Sequence, residues 1–363
     1  MGSFHAVRVV GAGLIGTSIA LGLKRAGYSL SIEDEYPEAE RIAQGLIGQT
    51  IPNQNGAISD PELIVIATPI LSIPSLVKEY AIRYPESTLI DIGGLKSEVL
   101  AEIEKFPAIA SRFCATHPMA GREISGALAA RGDLFEGRIW IYTPTTQTSN
   151  LALNRALELV EVLGGKAVEL GPIEHDQAIA GISHLPQIVS SLLSATLLDL
   201  SDRDISLAGQ GLKDVSRLAA SNSDLWAQLL HSNSKAVVEF LSVYAGYIDD
   251  LSISLQNDDL RKTQEILDLG RENHRRIPGK HGGAKRDYWY LPIIIEDKPG
   301  QLAKIFDACA LVFANVEDLS IEHTPGQESG LVTLALSKED ADKVYNQLSV
   351  DGWRVHEPRE SIG

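Results

Sequence analysis

The sequence predicts a three-part chain: a doubly wound parallel α/β sheet, then an all-α bundle, then a small α+β unit. Three observations carry this. Short apolar runs alternate with helical patterns over residues 6 to 145, helical spacing continues almost alone from Asn150 to about Gly270, and strand, helix, strand, strand, helix, strand closes the chain. At 363 residues the chain exceeds what one ordinary core organises.

In order, Ala6 to Val10 reads as a strand, Thr17 to Ala26 as a helix and Ser29 to Ile32 as a strand. Leu63 to Ala67 and Thr88 to Asp91 follow as buried strands, with Ser75 to Tyr84 and Lys96 to Lys105 as the helices between. From Asn150 to about Gly270 the only strand candidate is Ala167 to Leu170. Ile188 to Leu200 and Trp226 to Leu255 are apolar over much of their surface, which predicts burial in a bundle or a subunit interface and hence a two-fold homodimer. The basic, Gly- and Pro-rich stretch around Arg275 to Gly283 reads as a solvated linker. The expected divisions are 1–148, 149–270, a linker at 271–287, and 288–363.

Apolar content of 44% and a charged fraction of 22% are those of a globular chain. A net charge of -16 argues against nucleic acid or an anionic membrane surface as partner. Cys114 and Cys309 lack metal-ligand spacing, so no metal is expected, and two cysteines suit a reducing compartment. The N-terminus lacks the regions of a signal peptide, and the most apolar stretch, Leu63 to Val77, is broken by Pro69 and Pro74. The expectation is a cytoplasmic protein.

Gly11-Ala12-Gly13-Leu14-Ile15-Gly16 fits G-x-G-x-x-G between a strand and a helix, the setting that gives the string meaning as a Rossmann dinucleotide site. Gly11 permits the tight turn, Gly13 lets the backbone approach a pyrophosphate, and Gly16 lets the helix pack on the strand. Leu14 and Ile15 open that helix, whose N–H donors face the phosphates. Asp34, where the second strand ends, is the expected ribose ligand; with no Arg or Lys beside it to hold a 2′-phosphate, NAD is favoured over NADP. An acidic loop that merely follows a strand is the alternative. Thr68-Pro69 falls where a nicotinamide-proximal loop belongs.

Two further groups fall at strand ends, where an open α/β sheet places its ligands: Asp91 to Ser97, and Thr116-His117-Pro118-Met119-Ala120-Gly121-Arg122-Glu123. His-Pro-Met-Ala-Gly-x-Glu at 117 to 123, Leu134 to Gly137, His175-Asp176, Ser183-His184-Leu185-Pro186 and Gly211 to Arg217, with Trp226 and Asn233, resemble the prephenate/arogenate dehydrogenases of tyrosine biosynthesis. The resemblance runs in order from about residue 7 to 270.

It implies hydride transfer to NAD from the ring C4 hydroxyl of prephenate, with loss of the ring carboxylate as CO2. A neutral imidazole accepts a hydrogen bond from that hydroxyl near pH 7, and His117 is the candidate. Arg217 grips a carboxylate in a fork, by similarity the ring carboxylate, with Asp214 and Trp226 positioning it. Lys213 and Arg122 are candidates to add positive field, with surface cations as the alternative. Glu123 matches the family's gating acid, and His184 is expected to line the pocket or else to be a packed helical histidine. Three departures put the substrate in question, as prephenate, arogenate or a 4-amino analogue. Gly94 stands where the family has a Ser beside the catalytic His, Gln187 replaces the second His of Ser-His-Leu-Pro-His, and Arg122 replaces a small residue.

Asp297-Lys298-Pro299-Gly300-Gln301-Leu302 with Asn315-Val316-Glu317-Asp318 resembles an ACT domain, a class of amino-acid-sensing modules. The resemblance implies a tyrosine effector at Asp297, Gly300, Asn315 and Val316, with a purely structural domain as the alternative. Two other functions compete: a 3-hydroxyacid dehydrogenase, which needs a catalytic Lys such as Lys213, and a non-catalytic NAD and amino-acid sensor.

Overall fold

The structure, a computed structural model, describes residues 2–48, 60–120, 126–277, 288–323 and 329–360. Two compact units divide it, residues 1–196 with 216–246 and residues 197–215 with 247–363.

The first unit is built on seven strands: β1 (Ala6–Val10), β2 (Ser29–Glu33), β3 (Leu63–Ile66), β4 (Thr88–Asp91), β5 (Phe113–Pro118), β6 (Ile139–Thr143) and β7 (Lys166–Glu169). Their order is β2-β1-β3-β4-β5-β6-β7. Every residue of β3 and β4 is buried, because both faces of the central sheet are covered. Successive side chains serve opposite cores. Leu63 and Val65 join Ile19, Leu23 and Trp140 on one face, while Ile64 and Ile66 join Val77, Leu89 and Phe113 on the other. The covering helices are α1 (Leu14–Arg25), α2 (Pro37–Ile47), α3 (Ile73–Arg83), α4 (Ser97–Ile103), α5 (Pro107–Ala110) and α6 (Asn150–Val162).

The expected all-parallel sheet needs correction at one end. β1 to β5 are parallel, but β6 runs antiparallel to β5 and β7 parallel to β6. The connection from β5 to β6 holds, among its described residues, only the short 3₁₀ turn Ala127–Ala129 and no crossover helix, as an antiparallel return allows. β7 also carries the sheet beyond the expected boundary at residue 148.

Next come α7 (Pro172–Ile179), a π-helical turn over Ala180–His184, and α8 (Leu185–Thr196). A Cβ on Gly181 in that turn would lie 2.8 Å from the Phe240 ring, so a larger residue there would have to displace that ring. By length and composition Pro172–Asp199 is apolar enough to cross a membrane, which Leu63 to Val77 is not. Yet it carries His175, Asp176 and His184, all bonded within the unit, and is read as a bundle helix. The apolar segment Trp226 to Leu255 lies on two helices, Ser223–Ser232 and Ser234–Gln256, interrupted where the Asn233 side chain turns inward to hydrogen bonds.

Within the second unit, β8 (Trp289–Glu296), β9 (Asp318–His323), β10 (Ser329–Leu336) and β11 (Arg354–Val355) form an antiparallel sheet in the order β11-β8-β10-β9. Helices Gln301–Leu311 and Lys338–Val350 supply Ile305, Val344 and Leu348 to a core with Leu291, Ile293, Val332 and Leu334. The alternation of strand and helix is the expected one.

At the carboxyl end of β4 sits an ion pair with no exposed surface: Lys96 Nζ is 2.5 Å from Asp91 Oδ2 and donates to Thr116 O at 2.7 Å. Burial raises the Asp91 pKa and lowers that of Lys96, and their mutual attraction works against both shifts. Removing one partner strands the other charge. Lys96→Met is expected to cost about 3–5 kcal/mol in urea unfolding at pH 7, with most of the loss recovered in Lys96→Met/Asp91→Leu. An undiminished single variant contradicts the pairing.

Candidate active site

The glycine loop is closed toward the protein and open outward. A Cβ on Gly11 would lie 2.3 Å from Ala67 O, and one on Gly16 would lie 2.0 Å from Gly11 O, whereas one on Gly13 meets nothing within 4 Å. Gly11 also needs its positive φ of 107°. Gly13 caps α1 without a side-chain hydrogen bond, leaving the first amides of that helix for an anion. Leu14 and Ile15 pack beneath. Thr68-Pro69 abuts the same loop, Thr68 Cγ2 being 3.2 Å from the Gly11 Cβ position.

Asp34 is tied to the loop by its own carboxylate: Oδ2 accepts from Ala12 N at 2.6 Å and Oδ1 from Tyr36 N at 2.9 Å. Each oxygen keeps lone-pair capacity for a ribose hydroxyl. Glu33, its neighbour, instead faces Arg8 and accepts from Tyr80 Oη. A cleft of about 510 Å³ lined by Ala12, Gly13, Asp34, Tyr36, Ile42 and Leu128 opens beside the loop. Glu38 lines it too, and two carboxylates disfavour a 2′-phosphate there. These residues fit the adenosine and pyrophosphate of a dinucleotide.

His117 ends β5, and its protonation is set by a chain of three side chains. Asp176 accepts from Lys96 N and Ser97 N, each at 2.9 Å, and from His175 Nδ1 at 2.7 Å. Burial pushes the Asp176 pKa up, but the bonds from His175, Ser97 and Lys96 outweigh it and hold the group below the usual carboxylate range. An ionised Asp176 requires a proton on His175 Nδ1, which leaves the imidazole Nε2 as the acceptor. His117 Nδ1 lies 2.9 Å from that Nε2 and must donate to it. The Nε2 of His117 is therefore a free lone pair. Burial first, then His175, Lys96 and His184, hold the His117 pKa well below 6.5 against an opposing pull from Asp176. The imidazole is neutral at pH 7.

Gly94 lies against that lone pair. A Cβ there would stand 3.9 Å from His117 Nε2 and 3.4 Å from Leu229 Cδ2, and the Gly94 backbone is outside the left-handed region. Neither strain nor crowding demands glycine here.

A second histidine is fixed by Asn233, whose amide donates to Asp176 O at 2.8 Å and to His184 Nδ1 at 3.3 Å. His184 thus carries its proton on Nε2, and burial lowers its pKa to about 4. Its ring meets Trp226 edge-on at 5.9 Å. Gln187, three residues on, donates to Leu218 O at 2.9 Å and to Ser191 Oγ at 3.2 Å. Arg217 opens the 3₁₀ turn Arg217–Ala220 that α8 thereby holds.

The remaining expected residues belong to the second unit or lie outside the described residues. Lys213 and Asp214 lie exposed on the helix Gln210–Ser216 in the second unit, Asp214 accepting from Gln210. Arg122 and Glu123 lie outside the described residues. In the C-terminal sheet domain Asp297 and Gly300 form an exposed turn, Asn315 donates to Glu317 at 2.9 Å, and Val316 packs against the core. A cleft of about 260 Å³ in that domain is lined elsewhere, by Ile294, Glu296, Gln301, Trp353 and Arg354 among others. Conversely, the sequence reading gave no site role to Asp91, Lys96, His175, Asp176 or Asn233. His175-Asp176 and Asn233 stand in the quoted motifs, which was the available signal.

Comparison with known proteins places this geometry in a family. Profiles described as "Prephenate dehydrogenase, nucleotide-binding domain" and "Prephenate dehydrogenase, dimerization domain" match residues 19–169 and 171–269. A protein of Streptomyces niveus named "Probable prephenate dehydrogenase NovF" is 30% identical over 95% of this chain and 98% of its own length. The crystal structure of prephenate dehydrogenase from A. aeolicus, in complex with hydroxyphenyl propionate and NAD+, superposes with TM-score 0.67 at 25% identity, covering 75% of this chain and 98% of that one. Synechocystis arogenate dehydrogenase gives TM-score 0.62 at 27% identity over 74% of this chain and 99% of its own.

Two outcomes follow from the His117 geometry. Because its pKa is depressed, His117 gains a proton only as pH falls well below 6.5, so the acid limb of any reaction that uses it lies below that value. A limb at or above 6.5 contradicts the burial argument. Gly94→Ser is expected to fold with a stability change under about 1 kcal/mol, measured by thermal unfolding; a larger loss means that glycine is structurally required.

Proposed function

The chain belongs to the prephenate dehydrogenase family, and from that premise we propose that it catalyses the NAD-dependent oxidative decarboxylation of prephenate to 4-hydroxyphenylpyruvate, a step of tyrosine synthesis. One observation carries the reading: the Asp176–His175 pair leaves His117 Nε2 unprotonated at a strand end of the nucleotide-binding sheet.

The chemistry needs that lone pair. As the C4–H bond breaks and hydride leaves, positive charge develops at C4 and the hydroxyl proton becomes acidic. His117 accepts it in a strengthened hydrogen bond. The bond from the ring to its carboxylate then breaks, its electron pair enters the ring, CO2 departs, and the phenol keeps the proton that His117 held. No proton is released overall, so the His117–His175–Asp176 chain orients the base rather than draining it. NAD, when bound at the Gly11–Gly16 loop, supplies the hydride acceptor. Arg217 holds the ring carboxylate until it leaves, with Trp226 and His184 as pocket walls.

The helical residues match a profile described as a dimerization domain, which supports a homodimer. The C-terminal sheet domain is assigned as an ACT module through which tyrosine inhibits, on the strength of its strand and helix order and the 297–302 motif. A cytoplasmic location fits the biosynthetic role. Gln187 favours a second reading in which arogenate is the substrate.

The test is NADH formation from prephenate with NAD and NADP. NAD is expected to be preferred by at least about tenfold in kcat/KM, and His117→Asn to lower kcat by about 10²–10⁴ with KM little changed. Turnover of neither prephenate nor arogenate, or an active His117→Asn enzyme, rejects the assignment.

A further inference from the structure

The side chains of Lys96 and Asp91 have no exposed surface. A buried pair of this kind often adds no stability over apolar residues of similar volume, so folding alone does not explain why charge is kept at this point. The surroundings of the pair supply a reason.

β4 and β5 pair only as far as Asp91 and Ala115. Beyond that the β4 backbone turns away: Ile92 N donates to Ile66 O of β3, and Gly93 N turns back to Asp91 Oδ2 at 2.8 Å. At Thr116, the residue before His117, side chains take over from the ladder. Thr116 N donates to Asp91 Oδ1 at 3.3 Å, and Thr116 O accepts from Lys96 Nζ at 2.7 Å. That carbonyl belongs to the rigid peptide plane that leads into His117, so the ammonium fixes the point from which the imidazole leaves the strand. The main chain of the same lysine reaches the other end of the site. Lys96 N donates at 2.9 Å to the Asp176 carboxylate, which orients His175 and through it His117.

We propose that Lys96 is a positioning residue for the reaction: paired with Asp91, its side chain continues the sheet ladder by one residue and so holds the strand end that carries His117. The inference rests on the reaction proposed above for its rate. Lys96 Nζ itself, buried and engaged by Asp91 and Thr116, touches no substrate. Its charge acts in the same sense as its geometry. Burial aside, His117 answers to His175, Lys96 and His184, which oppose its protonation, and to Asp176, which favours it. Removing the ammonium therefore lets His117 take up a proton at higher pH, where the lone pair is needed.

The experiment compares the native full-length enzyme with Lys96→Met, Lys96→Met/Asp91→Leu and Lys96→Gln/Asp91→Asn. Each is measured by urea unfolding, by steady-state kinetics with prephenate or arogenate at saturating NAD, and by nitrogen-15 NMR titration of His117. These replacements leave the backbone bond to Asp176 in place and so test the strand-end tether alone. The Met/Leu protein regains stability, as expected above, but its kcat is expected to stay about 10²-fold below native with KM little changed, and its His117 to titrate at higher pH. The Gln/Asn pair, uncharged but able to donate to Thr116 O, is expected to recover part of the rate while the raised titration persists. Native kcat and native titration returning together with stability in the Met/Leu protein overturn the proposal and leave the pair a purely structural role. Loss of folding in both double variants overturns it too, by making the pair a requirement of the fold. The His117 titration needs no turnover, so a native enzyme that oxidises neither compound removes the reaction proposed above and leaves this test standing.

Discussion

The site depends on one carboxylate. Asp176 accepts from the backbone amides of Lys96 and Ser97, which join the β4 loop to the start of α4, and from the ring of His175. Its own carbonyl accepts from Asn233, which in turn holds His184. A single residue thus ties the end of the central sheet to α7, α8 and the helix break at Asn233, and the ties run through hydrogen bonds that dictate protonation. With Asp176 ionised, a proton sits on His175 Nδ1, and the hydrogen-bond geometry then sets the proton on His117 Nδ1. A different residue here would release both the docking and the tautomer.

The same region concentrates charge without exposing it. The Asp91–Lys96 pair lies under the loop that carries Gly94, and Lys96 reaches across to the carbonyl of Thr116, next to His117. The pair therefore fixes the strand end geometrically, and its Lys96 charge also disfavours protonation of His117. A protein of net charge -16 would by its overall field favour a protonated histidine; burial and the Lys96 charge act against that at this ring. This matters because an imidazolium has no lone pair to offer a hydroxyl.

Much of this was legible from the sequence, and what was not has a common cause. The glycine loop, Asp34 and the strands around Leu63–Ile66 and Thr88–Asp91 are local patterns, readable because period, turn chemistry and motif lie within a few residues of one another. His117, His184 and Trp226 were readable from ordered motifs. The His117–His175 contact joins residues 58 apart in sequence, and Lys96 reads in sequence as an ordinary surface cation opening a helix. Nothing local shows that its chain is fully buried. The reversed β6 was hidden for the same reason, since strand direction follows from a connection and not from a propensity. The helix break at Asn233 has no local signal, because the interruption serves distant partners, Asp176 and His184.

The account's central claim is that His117 is a neutral imidazole with its proton on Nδ1. Nitrogen-15 NMR of histidine-labelled protein at pH 7, with the His117 resonance assigned by its loss in a His117 variant, reads this directly. The account predicts a protonated, pyrrole-type Nδ1 and an unprotonated, pyridine-type Nε2 that persists well below pH 6.5. A protonated Nε2, or two equivalent imidazolium nitrogens at neutral pH, would contradict it.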